Sequence, residues 1–529
     1  MARASFGALF CGRMTRTDRD TPTARQDPLW ARPWLVLGVA TLAIHLAFNN
    51  GYDIYRDELY FIVCGLHPAI GYVDQPPLVP WIAGASYSLF GESLMALRLL
   101  PALMMTCTVA LTCEGARILG GRQFAQWLAG LCVMTGSVYL INGYLLMTDF
   151  MQPLTWLGAS LCLVKVIQTG NQRWWLGFGA VVGVSLLSKY LISFYLLGLA
   201  VGILTTPLRR SLLSPWLYLG ALLALAIGSP SLIWQAQHGV PFLELGKSGI
   251  AGKNEPVSAP EFLIQQLLVS GVAGAPVWLA GLWRFAVRPP LPAYRAFPIA
   301  WVTAALAFLA LHGKAYYLTP IYPFLLAGGA VAVEGWLRRP ALRGAILGAI
   351  AVIGCIMAPF ALPILPPAGL AAYSTMLGVT PKMARVETYP LGILPQQLGD
   401  QLGWREMAAK VAAIYNALPP ADRARAAFFG RNYGEAAAID LYARRSGVPP
   451  AISGHNAYFL WGPMGHDGSV LIMVGGERAG LERLFQSVEE RGTVSTPFAV
   501  PRESNLPIYV LRGPRIPMAQ LWPLLKHYE

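Results

Sequence analysis

Several acidic and basic side chains lie directly after the first apolar stretch of the sequence. Residues 51–61 contain Asp53, Arg56, Asp57 and Glu58. If this segment is helical, Asp53 and Asp57 share one face at a spacing of four residues, whereas Glu58 points about 100° away. One carboxylate can then act as a general base while its neighbour orients a second group. The alternative is that these residues are ordinary acids at a membrane surface.

Four more charged residues are found at the ends of other apolar segments. They are Arg98, Asp149, Lys189 and Lys314. The topology that the basic loops predict places all four at the outer level of the membrane, where an ionised group close to lipid is costly without a partner. Cations and acids that converge at one depth suit an anionic headgroup beside an acid/base centre. Each cation taken singly is also explained by snorkelling toward lipid phosphates.

Two proline-containing segments supply further candidates for substrate binding. Residues 71–78 include a Pro-Pro pair that favours an extended turn before the next helix, which would present Asp74 and Gln75 rigidly. Residues 314–323 combine a cation, three tyrosines and two prolines, a set that can bind a phosphate and stack on a sugar or an isoprenoid. The respective alternatives are a plain loop-to-helix junction and the anchoring of aromatic rings at the membrane interface.

Membrane-spanning helices must position these residues. The 529-residue chain is 55% apolar and only 13% charged, which is outside the usual balance of a soluble protein. A span needs about 20 mostly apolar residues, and such runs predict a mainly α-helical polytopic bundle of about eleven spans. The run 173–205 would be about 50 Å long as one helix, so we divide it near Lys189. The predicted spans are 33–50, 95–115, 124–142, 147–167, 173–188, 190–206, 214–234, 261–284, 296–312, 317–337 and 343–363.

The loops on one side of these spans are basic, as expected of cytoplasmic loops. Residues 1–32 carry six arginines and are predicted to be a disordered cytoplasmic tail. Residues 33–363 form the predicted membrane domain, and 51–94 is its first extracytoplasmic loop. Residues 364–529 follow an odd number of spans and are predicted to be an extracytoplasmic α/β domain. Its predicted strands are 426–429, 470–474 and 508–511, and its predicted helices include 404–416 and 435–444.

The composition disfavours several functional classes. The 40 basic and 27 acidic residues leave a positive excess that lies in short clusters between apolar runs, which indicates topology rather than nucleic-acid binding. The seven cysteines and seven histidines show no metal-ligand spacing. Glycine-rich nucleotide fingerprints and Walker motifs are missing from the sequence. We therefore expect no nucleic-acid partner and no cofactor, and no divalent metal is indicated.

The charged motifs, taken in their order along the chain, resemble those of bacterial glycosyltransferase family 39. This group includes the dolichyl-phosphate-mannose protein mannosyltransferases and the aminoarabinose transferase that modifies lipid A. The motifs that carry the resemblance are Arg56-Asp57-Glu58, the segment 74–78, Arg98, Thr148-Asp149, Ser188-Lys189-Tyr190 and the segment 314–323.

The resemblance implies a GT-C fold and a donor sugar carried on polyprenyl phosphate. By the same resemblance, Asp57 is the general base that deprotonates an acceptor hydroxyl, and Glu58 and Asp149 position the acceptor or the base. Fixed cations would stabilise the charge that develops on the departing lipid phosphate. The residues expected to hold that phosphate are Arg98, Lys189 and Lys314. The other expected substrate contacts are Arg56, Asp74, Gln75, Tyr316 and Tyr317.

Two features of the sequence bear on the acceptor. The lipid A transferases of this group usually have Lys in the Pro-Pro loop, where this chain has Gln75, so their acceptor specificity does not carry over. The segments 432–440 and 453–463 resemble segments in bacterial members of the group. These two segments form either the core and turns of the C-terminal domain or a contact with the acceptor.

The sequence therefore predicts an inverting hexosyl or pentosyl transferase in a bacterial inner membrane. Its expected partners are a polyprenyl-phosphate-linked sugar, membrane lipids and a glycan, lipid or protein acceptor. A transporter or flippase of lipid-linked glycans is the alternative, since many spans with intramembrane charges also suit a substrate path. A third possibility is a scaffold whose outer domain binds an envelope partner.

Overall fold

The computed structural model describes residues 32–250, 257–380 and 388–529. The predicted tail, apart from Arg32, and part of the predicted loop 235–260 lie outside the described residues. Helices follow one another through the first two described ranges. They are α1 (Pro33–Phe48), α2 (Arg56–Leu66), α3 (Leu78–Phe90), α4 (Leu94–Ile118), α5 (Gln123–Thr135), α6 (Ser137–Tyr144), α7 (Gln152–Thr169), α8 (Trp174–Ser188), α9 (Ile192–Thr205), α10 (Pro215–Gln237), α11 (Pro241–Ser248), α12 (Ala259–Val269), α13 (Ala275–Val287), α14 (Ala296–Ala310), α15 (Tyr322–Trp336), α16 (Pro340–Met357) and α17 (Pro367–Leu377).

Each predicted span coincides with at least one of these helices. The predicted break near Lys189 is confirmed, because α8 ends at Ser188 and α9 begins at Ile192. The predicted span 124–142 consists of α5 and α6, which are bent by 65° relative to each other. The predicted span 261–284 likewise consists of two helices, α12 and α13.

Length and composition identify five described helices that can cross a membrane, or up to seven if each bent pair is one span. Helices α1, α8 and α13 are also apolar, but they contain only 16, 15 and 13 residues. These lengths fall short of the roughly 20 residues that cross the hydrocarbon core. Because at least five described helices can cross a membrane, the chain is a multi-pass membrane protein. The total of about eleven spans stays a prediction.

The predicted first outer loop, 51–94, is built around helices α2 and α3. The two helices cross with their backbones in contact at Gly65 and Gly84. A Cβ atom on Gly65 would lie 2.1 Å from the carbonyl oxygen of Pro80, so only glycine permits this approach. The crossing fixes the C-terminal end of α2 against α3.

The third described range contains short helices and one four-stranded sheet. The strands are β1 (Ala426–Phe429), β2 (Val470–Val474), β3 (Phe485–Val494) and β4 (Leu506–Pro514). The helices are α18 (Gln396–Gly399), α19 (Trp404–Asn416), α20 (Pro420–Arg423), α21 (Tyr433–Ala438), α22 (Ala457–Trp461), α23 (Arg478–Leu484) and α24 (Met518–Leu521).

The strand order in the sheet is β1-β2-β4-β3. Strand β1 is parallel to β2, whereas β2 and β3 are both antiparallel to β4. The predicted strands 426–429 and 470–474 are confirmed as β1 and β2, and 508–511 lies within β4. Sequence patterning missed β3, because this edge strand is mostly exposed and carries charged residues instead of an alternating apolar face.

The outer loop and the C-terminal region share one apolar core. Side chains of α2 and α3, among them Leu59, Ile62 and Val79, pack in the same cluster as Trp404 of α19 and Phe428 of β1. The predicted domain boundary at residue 364 stays a prediction. The shared core means that the residues on the two sides of this boundary hold each other in place.

Candidate active site

Arg98 and Glu58 form a fully buried ion pair beneath the first turn of α2. The guanidinium Nε and Nη2 donate to the two carboxylate oxygens over 3.0 and 2.8 Å, and both side chains are 0% exposed. The other N–H groups of Arg98 donate to the carbonyl oxygens of Asn49 and Asp53 and to the hydroxyl of Tyr144. A guanidinium has five N–H donors, so these five bonds use all of them. We call Arg98, Glu58 and these hydrogen bonds the clamp.

Glu58 joins two backbone segments through the same carboxylate. Its Oε2 atom accepts a hydrogen bond of 3.0 Å from the backbone N–H of Tyr55 and thereby caps the start of α2. Its Oε1 atom accepts one of 2.9 Å from the backbone N–H of Leu146, in the turn between α6 and α7. The first turn of α2 is therefore fastened to the turn that carries Asp149.

Asp57 is placed differently from its neighbour Glu58. Its side chain is 26% exposed, whereas that of Glu58 is fully buried. The Oδ1 atom accepts hydrogen bonds from the Tyr433 hydroxyl over 2.8 Å and from Arg56 Nε over 3.4 Å. Among the described residues, no hydrogen-bond donor contacts Oδ2. A carboxylate with one oxygen held and the other open can accept a proton from a bound hydroxyl.

The expectation that Asp53 and Asp57 share a helical face is wrong. Helix α2 begins at Arg56, after the extended residue Tyr55, so Asp53 lies outside it. The Asp53 carboxylate instead accepts hydrogen bonds from Arg405 of α19, the shorter over 3.0 Å. With the cap provided by Glu58, the helix begins three residues after Asp53, so the spacing of four does not apply.

Arg56 contacts Tyr433 of the C-terminal region, and Asp74 contacts Tyr60, whose ring stacks on that of Tyr433. The guanidinium carbon of Arg56 lies 5.2 Å from the centre of the Tyr433 ring, and the residue is 8% exposed. The Oδ1 atom of Asp74 accepts a hydrogen bond of 2.8 Å from the hydroxyl of Tyr60. Gln75 is buried, and its amide atoms have no hydrogen-bond partner among the described residues. The predicted substrate roles of these three residues stay predictions.

Asp149 and Lys189 form the second centre of charge. The Lys189 Nζ donates to Asp149 Oδ2 over 2.7 Å, and the two side chains are 22% and 13% exposed. The same Nζ lies 5.0 Å from the ring centre of Tyr317 and 5.9 Å from that of Tyr316. These four residues come from the α6–α7 turn, the end of α8 and the 3₁₀ helix Ala315–Ile321. A cation held between an acid and two aromatic faces forms a compact polar site.

Lys314 directly precedes the 3₁₀ helix that carries Tyr316 and Tyr317. Its side chain is partly buried. The structure thus brings Asp149, Lys189 and the two tyrosines together, and it places Lys314 in the segment that holds the tyrosines. The expected convergence of charges from separate helices is seen for this group, whereas Arg98 belongs to the clamp with Glu58.

Tyr433 was missed as a site residue by sequence reasoning. It lies in the segment 432–440, which attracted attention by its resemblance to other bacterial proteins, but nothing in that segment indicated which residue contacts the outer loop. Its partner Asp57 is 376 positions away in the sequence. A phenol in a small alanine-rich helix gives no local sign of such a contact.

Two buried carboxylates lie in the C-terminal region, close to the start of α21. Glu435 and Glu503 are 0% and 7% exposed. Arg431 donates to Glu435 over 2.6 Å, and the Asn432 amide donates to Glu503 over 3.1 Å. Burial, and then the neighbouring Glu435 carboxylate, raises the pKa of Glu503 to about 8. Burial also raises the pKa of Glu435.

We expect Glu503→Gln to raise the melting temperature increasingly as the pH rises. A raised pKa in the folded state means that the acid contributes stability below its ordinary pKa of 4.5 and loses it as the pH rises through about 8. Gln mimics the protonated acid and does not titrate, so the gain in stability grows between pH 4.5 and about 8 and levels off above that pH. Thermal unfolding of the purified protein between pH 5 and 9 measures this difference.

The matched control for this prediction is Glu482→Gln, at an exposed residue of α23. Its melting temperature should follow that of the unmodified protein at every pH. A difference between Glu503→Gln and the unmodified protein that does not change with pH would contradict the prediction.

The described residues contain no group of three or more His, Cys, Asp or Glu side chains that could hold a metal ion. The side chains that the two charge centres bring together are carboxylates, amines, a guanidinium and phenols. Such groups can transfer protons and stabilise an anion.

The sequence and the fold both have known counterparts. The family model described as dolichyl-phosphate-mannose-protein mannosyltransferase matches residues 74–234, which is less than a third of the chain and includes Asp74, Arg98, Asp149 and Lys189. The lipid A galacturonosyltransferase RgtD of Rhizobium johnstonii is 23% identical over 205 residues, which are 39% of this chain and 43% of that protein. This chain thus matches less than half the length of that curated relative.

Two crystal structures of ArnT from Cupriavidus metallidurans are similar over almost the whole chain. The structure bound to undecaprenyl phosphate matches with a TM-score of 0.57 and 15% identity, and it covers 92% of this chain and 100% of ArnT. The apo structure matches with the same TM-score and identity, and it covers 91% and 99%. This chain has an ArnT-like GT-C fold, and its sequence resembles the GT-C glycosyltransferases.

Proposed function

We propose that the protein is an inverting glycosyltransferase that moves a sugar from polyprenyl phosphate to an acceptor hydroxyl. The family description names a transferase that uses dolichyl-phosphate mannose, and the ArnT structure of the same fold was determined with undecaprenyl phosphate. RgtD is named as a transferase acting on lipid A. These relatives support a lipid-phosphate donor for this chain. The basic loops on one side of the predicted spans support a reaction on the extracytoplasmic side of a bacterial inner membrane, with the N-terminus in the cytoplasm.

The observation that carries the proposal is the link made by Glu58. This carboxylate holds the turn that contains Asp57 against the turn that contains Asp149, through Tyr55 and Leu146. Asp149 in turn holds Lys189. An open carboxylate is thereby connected, through short and buried contacts, to a fixed cation. This is the combination that base catalysis with an anionic leaving group requires.

The proposed reaction assigns each side chain one task. An acceptor hydroxyl gives its proton to Oδ2 of Asp57 as its oxygen forms a bond to the anomeric carbon. The bond from that carbon to the phosphate oxygen breaks on the opposite face, and the electron pair leaves with the lipid phosphate. Lys189 and Lys314 stabilise the charge of this phosphate. Attack opposite to the leaving group inverts the anomeric configuration.

Arg98 and Glu58 position the acid/base centre in this proposal and do not contact the substrate. All five donors of Arg98 and both oxygens of Glu58 are engaged within the protein. A phosphate could recruit Arg98 only by breaking a buried ion pair, which is strongly unfavourable. We therefore assign phosphate binding to Lys189 and Lys314.

The proposed function is tested with purified protein and synthetic undecaprenyl phosphates that carry a hexose, a hexuronic acid or an aminopentose. With an envelope-lipid extract as acceptor, one donor should be consumed, with release of undecaprenyl phosphate and an inverted linkage in the product. If the protein instead moves the lipid-linked sugar across vesicle membranes without changing its covalent structure, the transporter alternative is correct.

We expect Lys189→Gln and Lys314→Gln each to weaken the binding of undecaprenyl phosphate about tenfold, because each loses a charge-assisted hydrogen bond to the phosphate. Binding of the fluorescently labelled lipid phosphate to the purified protein in detergent measures this change. The matched control is Lys410→Gln, at a partly exposed lysine paired with Glu406 in α19. Equal affinity of all three variants and the unmodified protein would contradict the assignment.

A further inference from the structure

Tyr433 connects the C-terminal region directly to the proposed general base. Its hydroxyl donates to Asp57 Oδ1 over 2.8 Å, and the side chain is 7% exposed. Arg56 lies over one face of its ring. The phenol is thus held in a buried position with its polar end directed at a carboxylate of another part of the chain.

A second tyrosine, Tyr60, makes the same kind of contact with another carboxylate, that of Asp74. Tyr60 of α2 stacks on Tyr433 with ring centres 4.5 Å apart and an angle of 28° between the planes. Its hydroxyl donates to Asp74 over 2.8 Å and accepts a hydrogen bond of 3.2 Å from the backbone N–H of Ala457. Two stacked rings therefore each hold one carboxylate of the first outer loop, and the C-terminal region contacts both rings.

The local sequence explains why Tyr433 can reach this position. Asn432 caps α21 by accepting a hydrogen bond of 3.0 Å from the backbone N–H of Glu435, so the helix begins at Tyr433. The next residue is Gly434, and a Cβ atom there would lie 2.5 Å from Cγ of Arg56. The missing side chain lets the first turn of α21 lie directly against the first turn of α2.

We propose that the C-terminal region completes the acid/base centre, with Tyr433 as a positioning residue that orients the Asp57 carboxylate toward the acceptor hydroxyl. The inference rests on the proposed function, since it takes Asp57 as the general base. It assigns to the segment 432–440 a task in the reaction that goes beyond packing of the C-terminal core.

The hydrogen bond from Tyr433 holds the Oδ1 atom of Asp57 and leaves Oδ2 for the acceptor hydroxyl. Burial, and to a smaller extent the nearby Asp57, raises the pKa of Tyr433 well above its ordinary value, so the phenol remains a donor. Other groups near this pair come from α2 and from the C-terminal region. They are Arg56 and Tyr55 beside Tyr433, and Asp400 and Glu503 beside Arg56.

The experiment compares Tyr433→Phe with Tyr458→Phe. Tyr458 is 1% exposed, belongs to the same aromatic cluster and donates over 2.7 Å to a carboxylate, but its partner is Asp440 of the C-terminal region itself. Both changes remove one buried hydroxyl, so they carry the same kind of structural cost. Only the first removes a contact with the proposed base.

For Tyr433→Phe we expect kcat to fall about tenfold, the size expected for one hydrogen bond to a charged group. The KM for the donor should stay within about twofold, because the donor phosphate is bound by other residues. This split, with kcat lowered and the KM unchanged, is the result expected of a residue that orients the base and does not contact the donor. Tyr458→Phe should keep the kcat and the KM of the unmodified protein.

The outcomes separate this inference from the proposed function. If the unmodified protein transfers sugar and Asp57→Asn does not, but Tyr433→Phe keeps the unmodified kcat, the positioning role is wrong and the proposed function stands. The same conclusion follows if Tyr433→Phe and Tyr458→Phe lower kcat equally, or if Tyr433→Phe raises the KM for the donor as much as it lowers kcat. If Asp57→Asn retains full activity, the proposed general base itself is wrong.

Discussion

Asp57→Asn should lower the rate of sugar transfer by about a thousandfold while the protein still folds and inserts into the membrane. Asn can accept the hydrogen bond from Tyr433, so the contact that holds this position survives. It cannot take a proton from an acceptor hydroxyl, and general base catalysis contributes about 10²- to 10⁴-fold. The measurement is the release of undecaprenyl phosphate from the donor that the unmodified protein consumes.

The matched control is Asp467→Asn, at an exposed acid in the C-terminal region that pairs with Arg425. It should transfer sugar at the unmodified rate. Elution from a size-exclusion column and thermal unfolding should be the same for both variants. Turnover by Asp57→Asn at more than a tenth of the unmodified rate would remove Asp57 from the role of base.

Arg98→Met should destabilise the folded protein by about 3–5 kcal/mol, the usual effect of leaving one member of a buried ion pair without its partner. Glu58 would keep its hydrogen bonds to Tyr55 and Leu146 but would lose the only cation paired with it among the described residues. The carbonyl groups of Asn49 and Asp53 would also lose their donors. Thermal unfolding in detergent, followed by intrinsic fluorescence, measures the loss.

Arg117→Met on the same helix is the control, because Arg117 is exposed and its pair with Glu114 lies three residues away. An exposed ion pair of this kind contributes about 0–1 kcal/mol, so this variant should unfold close to the unmodified protein. Combining Arg98→Met with Glu58→Gln should recover part of the lost stability, since the buried charge is removed. Equal unfolding of Arg98→Met and Arg117→Met would contradict the clamp.

Two contacts hold the predicted first outer loop in place. They are the ion pair of Arg98 with Glu58 and the hydrogen bond from Tyr433 to Asp57. The first outer loop cannot move independently of the bundle, because Arg98 of α4 binds its backbone and its acid. It also cannot move independently of the C-terminal region, because Tyr433 and Arg405 bind Asp57 and Asp53. The proposed active site is therefore assembled from three parts of the chain that are remote in sequence.

The sequence by itself determined the features that depend on local pattern. Apolar runs located helices in all predicted spans, and the break at Lys189 followed from the length of the run alone. Buried strands β1 and β2 were predicted because their residues are almost all apolar. The charged motifs predicted that an acid and a cation from separate helices would meet, as Asp149 and Lys189 do. That they meet at the outer face of the membrane stays a prediction.

Only the tertiary structure decided which charged residues pair and which stay open. Arg98, Lys189 and Lys314 are equivalent as cations at the ends of helices, yet all donors of Arg98 are used by Glu58 and three further acceptors. Tyr433 and Asp57 meet across 376 residues without any local signal. The partner of a charged side chain depends on how deeply that side chain is buried and on the direction in which it points. Both are set by packing against distant elements, and the spacing of residues within one segment encodes neither.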